Sequence, residues 1–434
     1  MSAPTAALAG FAASLETAAL PAAIRALATQ HVLDTVAGMY ASAGIPEARS
    51  VCDAFGGSDA ETAGKLGMLA HAAESDPIHA GTTLCAGLIA APPALVLAQD
   101  GRDALAAIVA GYEVVVRIGE ALGSGRLLGM GWWPTAVLGS AGAAISAARA
   151  LRLNADATHN ALGLALVQSG GLGTGAAEAP ESRNLLAANA VRTGVEAALA
   201  AQRGLKGASE PLTGDRSVLD AFGGEPDASR LLEGLGADWK IAATSLKRWP
   251  CALQAQSALD ALQRVVEESG IAPSDIGKIR IFLPEAMRRI VDRPGPPASR
   301  FAAAANMRFL AAILLGDGDI APVRMAGPYD GAAIAALMET ISIEADPALD
   351  TLHPAAWPAR VEIDAAAGTF TAETRNPPGH PDAPLPMAFT VARFRDWSAP
   401  RLPEKDTQSM IDAISGLENG GDMGGIVASL RDLL

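Results

Sequence analysis

The sequence predicts a mainly α-helical protein in which a large all-α domain is joined to a smaller α+β domain. Two observations support this prediction. From about residue 5 to about residue 204, alanine and leucine recur at helical spacing, and glycine or proline interrupts stretches of about 12 to 20 residues. From about residue 275 to about residue 396, short runs alternate between apolar and polar residues with a period of two, as half-exposed strands do.

Three apolar segments of the first region predict buried helices. Residues 107–119 and 136–151 are hydrophobic nearly all round, which is typical of helices at the centre of a domain. Residues 88–97 are also apolar, although Pro92 and Pro93 interrupt them. They predict a buried helix that follows a polar loop.

The second region predicts three strands and a helix. The strands are expected at residues 277–283, 359–364 and 369–374, and the helix at residues 302–315. The tail, residues 405–434, returns to a helical pattern. An α+β domain is therefore expected at residues 270–396.

Composition excludes several classes of function. The chain has 434 residues, half of them hydrophobic, and can bury the cores of two or three domains. Its net charge of −14 and its lack of basic runs argue against nucleic-acid or membrane partners. No apolar run reaches the roughly 18 residues of a spanning helix, and the N-terminus lacks the charged start of a signal peptide. Three cysteines without a CxxC pair indicate a reducing compartment, so a cytoplasmic protein is expected.

The polar residues before the apolar segment 88–97 are the strongest functional signal. They comprise two histidines, two carboxylates, two threonines and a thiol, namely His71, Glu74, Asp76, His79, Thr82, Thr83 and Cys85. Such groups can move a proton, and imidazole titrates near neutrality. His79 is therefore a candidate acid or base, and a histidine that only stabilises the loop is the alternative.

Two further readings of this segment concern a thiol and a metal. Cys85 is a candidate base or nucleophile beside a cation, or else a small buried apolar residue. A metal site could be built from His71, Glu74, Asp76 and His79, but their spacing matches no known pattern such as H-E-x-x-H. We expect no metal site and, in the absence of a cofactor motif, no cofactor.

Cations elsewhere in the chain are candidates for holding a carboxylate. Arg183 and Arg248 offer a planar bidentate fork, and Lys247 offers a point charge. The alternative for each is an ordinary surface ion pair. The glycine-rich residues 170–175 have neither the spacing nor the preceding strand of a dinucleotide or phosphate loop, so they predict a turn that lines a site with Gln168 and Ser169.

Several segments together resemble the MmgE/PrpD family, which includes 2-methylcitrate dehydratase, cis-aconitate decarboxylase and iminodisuccinate epimerase. Residues 71–87 resemble the family's H-A-L-D-x-D-D-x-H … H-P-G motif, in which His71, Asp76 and His79 match. Further similar segments are residues 131–135, 182–191, 247–261 and 375–385. The resemblance implies a homodimer whose C-terminal helices dock back on the first domain, which would then comprise residues 1–269 and 397–434.

The sequence departs from the family at positions that carry chemistry. Cys85 and Trp133 stand where the family has catalytic histidines, Arg183 where it has a lysine, Gln256 where it has a histidine and Arg308 where it has a tyrosine. Lys247 is retained.

The resemblance implies a cofactor-free lyase or an isomerase, such as an epimerase, that removes a proton next to a carboxylate in a small di- or tricarboxylate or a related acid. His79, Lys247 and Cys85 are the expected catalytic residues. The expected substrate-binding residues are Asp76, Thr82, Thr83, Trp133, Arg183, Arg248, Gln256 and Arg308. We expect His79, Cys85, Trp133, Arg183 and Lys247 to converge on one cleft. The alternative is an inactive family member that serves as a binding or structural protein.

Overall fold

A computed structural model of the protein describes residues 3–174, 179–421 and 423–434. It divides the chain into two compact units. The helical unit comprises Met1–Ser245 and Pro386–Leu434, and the mixed unit comprises Leu246–Leu385. Gly175, the last residue of the glycine-rich segment, lies outside the described residues.

The first part of the helical unit is a series of helices joined by loops and short 3-10 turns. The helices are α1 (Pro4–Ser14), α2 (Ala22–Ser42), α3 (Pro46–Ala54), α4 (Asp59–Ala72), α5 (Ala86–Leu97), α6 (Gly101–Leu122), α7 (Pro134–Ala150), α8 (Ala155–Leu166), α9 (Pro180–Gln202) and α10 (Val218–Ala221). Two of the 3-10 turns, Ser124–Met130 and Lys240–Ala243, border the candidate site described below.

Helices α5, α6 and α7 form the centre of the helical unit, which confirms the three predicted buried helices. Nearly every residue of α6 and all of α7 are buried. Helix α6 begins where the Asp100 side chain accepts hydrogen bonds from the backbone N–H groups of Arg102 and Asp103, and it ends at Gly123 with φ +64°. Helix α5 continues through Pro92 and Pro93.

Small residues let these helix backbones approach closely. A Cβ atom added at Gly111 of α6 would lie 2.9 Å from the Cβ of Ala90 in α5. One added at Gly194 of α9 would lie 2.5 Å from both the Cβ of Ala143 and the carbonyl oxygen of Ser140 in α7. The alanine-rich and glycine-rich composition therefore sets the distance between helices as well as their propensity.

The mixed unit combines a four-stranded sheet with helices. Its elements are α11 (Leu253–Ser269), β1 (Ile276–Leu283), α12 (Glu285–Val291), α13 (Arg300–Ala304), α14 (Met307–Asp317), α15 (Ala332–Glu339), β2 (Ile341–Ala345), α16 (Pro347–Asp350), β3 (Ala359–Ala365) and β4 (Gly368–Thr374). The strand order is β2-β1-β3-β4. Strand β1 pairs parallel with β2 and antiparallel with β3, and β3 pairs antiparallel with β4.

The three predicted strands are confirmed as β1, β3 and β4, but the sequence interpretation differs from the structure in two places. Strand β2 was not predicted, because its five residues give only a short alternation. The helix expected at residues 302–315 is two helices, α13 and α14. The side chain of Asn306 accepts a hydrogen bond from the N–H of Phe309, so a new helix begins there.

The C-terminal helices α17 (Met387–Ser398), α18 (Glu404–Ser415) and α19 (Met423–Arg431) belong to the helical unit. Helix α17 packs along α2, where Gln30 Nε2 donates to Thr390 Oγ1 at 3.0 Å and Arg393 Nη1 donates to Asp34 Oδ1 at 2.6 Å. Both members of the second pair are buried, so this contact is a specific anchor.

The unit boundaries differ from the sequence-based expectation of 269/270 and 396/397. They fall at 245/246 and 385/386. Helix α11 packs on β3, β4 and α14 and therefore belongs to the mixed unit, whereas α17 packs on α2. None of the helices in the described parts of the chain is both long enough and apolar enough to cross a membrane.

Substitution of Gly194 by alanine tests the close packing of α7 and α9. The added methyl group would force backbone shifts, so the free energy of unfolding should fall by about 1 to 3 kcal/mol. Gly10 of α1 is the matched control, because a Cβ there meets nothing within 4 Å. Gly10→Ala should be neutral or stabilise by up to about 1 kcal/mol. Equal effects of the two substitutions in urea unfolding would contradict this packing argument.

Candidate functional site

The polar segment before α5 folds into a hairpin. The backbone N–H of His79 donates to the carbonyl of Leu84 at 2.9 Å, and Ile78 pairs in the same way with Ser245. Paired residues of an antiparallel bridge face the same side, and the next residue faces the other. The side chain of Cys85 is therefore expected on the face opposite to that of His79.

Unusual backbone conformations occur in this segment. Glu74 (φ +57°) and Thr83 (φ +55°) occupy the left-handed region, which costs a non-glycine residue about 1 to 3 kcal/mol. Such strain persists only where surrounding contacts hold it, and it is common at functional sites.

The first group of candidate residues is the His71 cluster. It comprises His71, Glu74, Asp76, Cys85, Trp133 and Arg183. The imidazole Nδ1 of His71 lies 3.0 Å from Asp76 Oδ1, and its Nε2 accepts a hydrogen bond from Arg183 Nε at 2.9 Å. Oε1 of Glu74 lies 3.4 Å from Nε2 and 3.6 Å from Arg183 Nε. Both ring nitrogens of His71 are thus engaged.

Trp133 covers this cluster. Its ring lies 4.9 Å from the His71 ring, centroid to centroid, and the guanidinium carbon of Arg183 lies 4.2 Å from its centroid. The indole therefore stacks on an imidazole and on a cation at once, and it is itself buried. Trp133 cannot replace a histidine as an acid or base, but it fixes the position of Arg183.

A metal ion is conceivable in this cluster, but the hydrogen bonds do not favour one. Ligand atoms of His71, Asp76 and Cys85 lie within 4.8 Å of one another. However, donation from Arg183 occupies the lone pair on Nε2 of His71, so a neutral ring carries its proton on Nδ1, where a metal would have to bind. The Arg183 cation at 2.9 Å adds repulsion. The cluster is arranged as a hydrogen-bonded network.

The His71 tautomer can be tested by ¹⁵N NMR. We expect the wild-type ring to be protonated on Nδ1, with Nε2 as an acceptor. In Arg183→Met the Nε2 resonance should move downfield as its hydrogen bond is lost. Arg192→Met, which removes a half-exposed arginine of the same helix that pairs with Glu196, should leave it unchanged. A wild-type ring protonated on Nε2 would contradict the assignment.

The second group is the His79 cluster, which comprises His79, Thr82, Glu120 and Lys240. Nδ1 of His79 lies 2.9 Å from Thr82 Oγ1, and Nε2 lies 3.7 Å from Glu120 Oε1. The other carboxylate oxygen of Glu120 contacts Lys240 Nζ at 2.7 Å. Sequence reasoning missed both Glu120 and Lys240.

The His79 imidazole is poised as a base. Burial lowers the pKa of His79 to about 4, the Glu120 carboxylate raises it and the Lys240 cation lowers it. A ring with this pKa is neutral at pH 7 and can accept a proton. The side chains of Glu120 and Lys240 are 24% and 15% exposed, so this cluster reaches solvent.

A buried ion pair on α6 holds the segment that carries Lys240. Arg117 Nε donates to Glu113 Oε2 at 3.1 Å, and both side chains are fully buried. The Arg117 guanidinium also donates to the backbone carbonyls of Glu233, Gly234 and Asp238, and Glu113 Oε1 accepts from the backbone N–H of Lys240. Glu113, Arg117 and Glu120 are spaced to share one helix face.

Substitution of Arg117 by methionine should be strongly destabilising. It would leave Glu113 buried without its cation, although burial already raises the pKa of Glu113 to about 7. The free energy of unfolding should fall by about 3 to 5 kcal/mol. Arg230→Met, at an exposed ion pair with Glu233, should cost no more than about 1 kcal/mol. Similar urea-unfolding midpoints for the two variants would contradict this role of Arg117.

The remaining predicted residues lie in the mixed unit. Lys247 is buried. The guanidinium of Arg248 lies over the ring of Trp249 at 4.6 Å and 3.7 Å from Asp260. Gln256 accepts from the backbone N–H groups of Arg248 and Trp249 and donates to the carbonyl of Trp249 at 2.9 Å. Its amide therefore fixes the backbone of the segment that contains Lys247.

Arg308 is engaged within the mixed unit as well. Its Nη1 contacts Asp292 Oδ1 at 2.6 Å, and its Nε donates to the carbonyl of Ile341 at 3.2 Å. These contacts join α14 to the end of α12 and to β2. A substrate-binding role for Arg308 or Gln256 therefore remains a prediction, and the contacts described here are structural.

The structure thus sorts the predicted residues into contact groups. Asp76, Cys85, Trp133 and Arg183 accompany His71, whereas Thr82 accompanies His79. The Thr83 hydroxyl donates to the carbonyl of its neighbour Thr82. The convergence of His79, Cys85, Trp133, Arg183 and Lys247 on one cleft stays a prediction.

Comparison with known proteins identifies the family. Residues 6–231 match the MmgE/PrpD N-terminal domain, and residues 249–419 match the MmgE/PrpD C-terminal domain. The chain belongs to the MmgE/PrpD family. The resemblance inferred from the sequence motifs is confirmed, as is the mainly α fold with a smaller α+β part.

Curated relatives of this MmgE/PrpD chain include three decarboxylase-like proteins. A "cis-aconitate decarboxylase-like protein oryM" of Aspergillus oryzae is 30% identical over 203 residues, which are 44% of this chain and 42% of the relative. The cis-aconitate decarboxylase of Aspergillus terreus is 27% identical over 44% of this chain and 40% of the relative. That of Homo sapiens is 26% identical over 76% of this chain and 69% of the relative. The two fungal matches thus span less than half of either protein.

Proposed function

We propose that this protein is a cofactor-free enzyme, a lyase or an isomerase, that removes a proton next to a carboxylate in a small di- or tricarboxylate or a related acid. Membership of the MmgE/PrpD family and the decarboxylase names of the relatives support the lyase class. The observation that carries the proposal is the geometry of His79, a buried imidazole with one ring nitrogen held by Thr82. Burial lowers its pKa to about 4, which favours the neutral ring at pH 7.

The proposed base is His79 rather than His71, because their ring nitrogens differ in engagement. Both nitrogens of His71 have partners at about hydrogen-bond distance, Asp76 and Arg183. Nε2 of His79 lies 3.7 Å from Glu120, beyond the roughly 3.2 Å limit of an N–H···O hydrogen bond. Its lone pair is therefore available to a substrate proton.

In the proposed reaction, the substrate C–H bond breaks, the proton binds Nε2 of His79, and the electron pair delocalises into the adjacent carboxylate. Arg183, Lys247 and Arg248 are the proposed cations that hold the carboxylates and stabilise this charge. Loss of carbon dioxide, loss of water or return of a proton can follow. Cys85, in place of a family histidine, is the second proton carrier that we propose to test.

An inactive family member that serves as a binding or structural protein is the second candidate. One observation favours it. Arg183, a proposed carboxylate clamp, donates its Nε to His71 and stacks on Trp133, so the cluster satisfies itself without a substrate. A scaffold that has lost its reaction would have the same contacts.

We propose a homodimer in a reducing cytoplasm. The dimer rests on the family resemblance, and the location on the three cysteines Cys52, Cys85 and Cys251, which contain no CxxC pair. Light scattering after gel filtration measures the first.

Isotope exchange separates the enzyme from the inactive scaffold. In deuterated water, the enzyme should exchange the α-proton of one member of a panel of di- and tricarboxylates, even where no net product accumulates. His79→Gln should slow exchange by about 10² to 10⁴, and Lys247→Met by about 10² to 10³. Lys206→Met, which neutralises an exposed lysine, should leave the rate unchanged.

Three outcomes would count against parts of this proposal. Calorimetric binding of a carboxylate without exchange in the wild type would favour the inactive scaffold. Exchange that His79→Gln does not slow would keep the enzyme and move the base elsewhere, with Cys85→Ser as the next variant. Exchange that Lys247→Met does not slow would remove Lys247 from the clamp.

A further inference from the structure

Nε2 of His79 is flanked by a pair of opposite charges that the proposed function does not use. Glu120 comes from the last turn of α6, and Lys240 begins the 3-10 turn Lys240–Ala243. Their side chains meet at 2.7 Å, and the second oxygen of Glu120 faces Nε2 at 3.7 Å. An ion pair at this position changes the free energy of protonating Nε2.

The Thr82 hydroxyl lets the ring change its protonation state. Thr82 Oγ1 lies 2.9 Å from Nδ1 of His79 and 3.4 Å from the His79 carbonyl oxygen. When Nδ1 carries a proton, the Thr82 hydroxyl oxygen can accept a hydrogen bond from the Nδ1–H group. The hydroxyl then donates its own hydrogen to the His79 carbonyl oxygen. Nδ1 can therefore stay protonated while the lone pair on Nε2 accepts the substrate proton.

The hydroxyl is itself held in place. Ser124 Oγ donates to the Thr82 carbonyl at 2.9 Å, and Gly119 of α6 lies so close that an added Cβ would be 3.0 Å from Thr82 Cγ2 and 2.6 Å from Leu84 Cδ1. The hairpin thus rests directly on the backbone of the helix that carries Glu120. The distance from Nε2 to the carboxylate is fixed by this contact.

We propose that Glu120 and Lys240 are positioning residues that set the proton affinity of His79 Nε2, with Glu120 stabilising the imidazolium that forms when Nε2 takes up a proton, and Lys240 limiting this effect. The proton forms a bond to Nε2, and Glu120 stays a carboxylate throughout. Neither residue needs to touch the substrate.

Opposite charges on the two residues give the pair its function. With Glu120 alone, the pKa of the ring would be higher, so more of the ring would lose its lone pair to a proton in mildly acidic solution. With Lys240 alone, the imidazolium formed in the reaction would face a cation. Burial keeps the resting ring neutral, Lys240 limits the rise in pKa that Glu120 causes, and a carboxylate remains near the new N–H bond.

The buried pair Glu113 and Arg117 gives this arrangement its precision. Through the backbone of Glu233, Gly234, Asp238 and Lys240, it ties the turn that carries Lys240 to the helix that carries Glu120. Two charges from segments 120 positions apart in sequence are thereby held on one rigid element.

The proposal has a test that requires no substrate. With ¹⁵N-labelled histidine, the ring of His79 can be followed from pH 5.5 to 8.5, and His79→Gln identifies its signals among the six histidines. The charged groups that face the ring are Glu120 from α6 and Lys240 from the 3-10 turn. Burial has the largest effect on the pKa of His79 and lowers it. The wild-type ring should stay neutral over this range.

Two variants should differ in their effect on the protonation of the ring over this pH range. In Lys240→Met the Glu120 charge is no longer balanced, so the pKa of His79 should rise by about one unit and protonation should begin near the acid end of the range. In Glu120→Gln the ring should stay neutral throughout. The double variant should return to the wild-type curve. A merely structural role would not give this pattern.

Matched controls and a clear failure complete the titration. Lys206→Met and Glu196→Gln remove exposed charges of the same unit and should leave the His79 signals unchanged. Thermal melting of each variant checks that it folds. A His79 ring in Lys240→Met that titrates as in the wild type, or becomes harder to protonate, would overturn the proposal.

The kinetic consequence rests on the proposed function. Where the wild type exchanges a substrate proton, Glu120→Gln should slow the maximal rate by about 10 to 10² and leave KM nearly unchanged, because Glu120 acts on the imidazolium. An unchanged rate would overturn the catalytic part of this inference while the proposed function stands. Absence of exchange in the wild type, together with the predicted NMR shifts, would reject the proposed function and keep the electrostatic coupling.

Discussion

The buried ion pair between Glu113 and Arg117 is the interaction on which the His79 cluster depends. Two charges removed from water are costly unless every donor and acceptor is satisfied. Here the guanidinium donates to three backbone carbonyls and to Glu113, and the carboxylate also accepts a backbone N–H. These bonds fix an otherwise irregular segment, residues 233–240, against the central helix. The role of this ion pair is therefore to hold Lys240 in position beside Glu120.

Glycine residues of α6 also position this helix, because the absence of a side chain lets neighbouring segments approach its backbone closely. Gly111 lies against Ala90 of α5, and Gly119 lies against the hairpin that carries His79. A larger residue at either position would move the helix by more than the tolerance of a hydrogen bond. The same helix therefore supplies a close steric contact to the hairpin and a charge, Glu120, to the imidazole. Its position determines both.

More of the fold than of the candidate site could be predicted from the sequence. Strong periodicity predicted α5, α6 and α7 and three of the strands, because burial of whole faces leaves a pattern in neighbouring residues. Periodicity could not predict that His79 and Cys85 belong to different contact groups. Their side chains are expected on opposite faces because His79 pairs with Leu84 through the backbone. Glu120 and Lys240 meet only through the tertiary fold. One signal was available: Glu113, Arg117 and Glu120 place charges on one face of a helix that is otherwise almost wholly apolar.

The two histidine clusters suit different tasks for a physical reason. His71 has an acceptor on one nitrogen and a guanidinium donor on the other, and Trp133 stacks on it, so both ring nitrogens are engaged. Such a ring holds neighbouring groups in place. His79 has a hydroxyl that can reverse its hydrogen bond and a carboxylate too distant to occupy the lone pair. A family scaffold with cysteine and tryptophan at positions 85 and 133 can therefore retain proton transfer through a ring of this second kind.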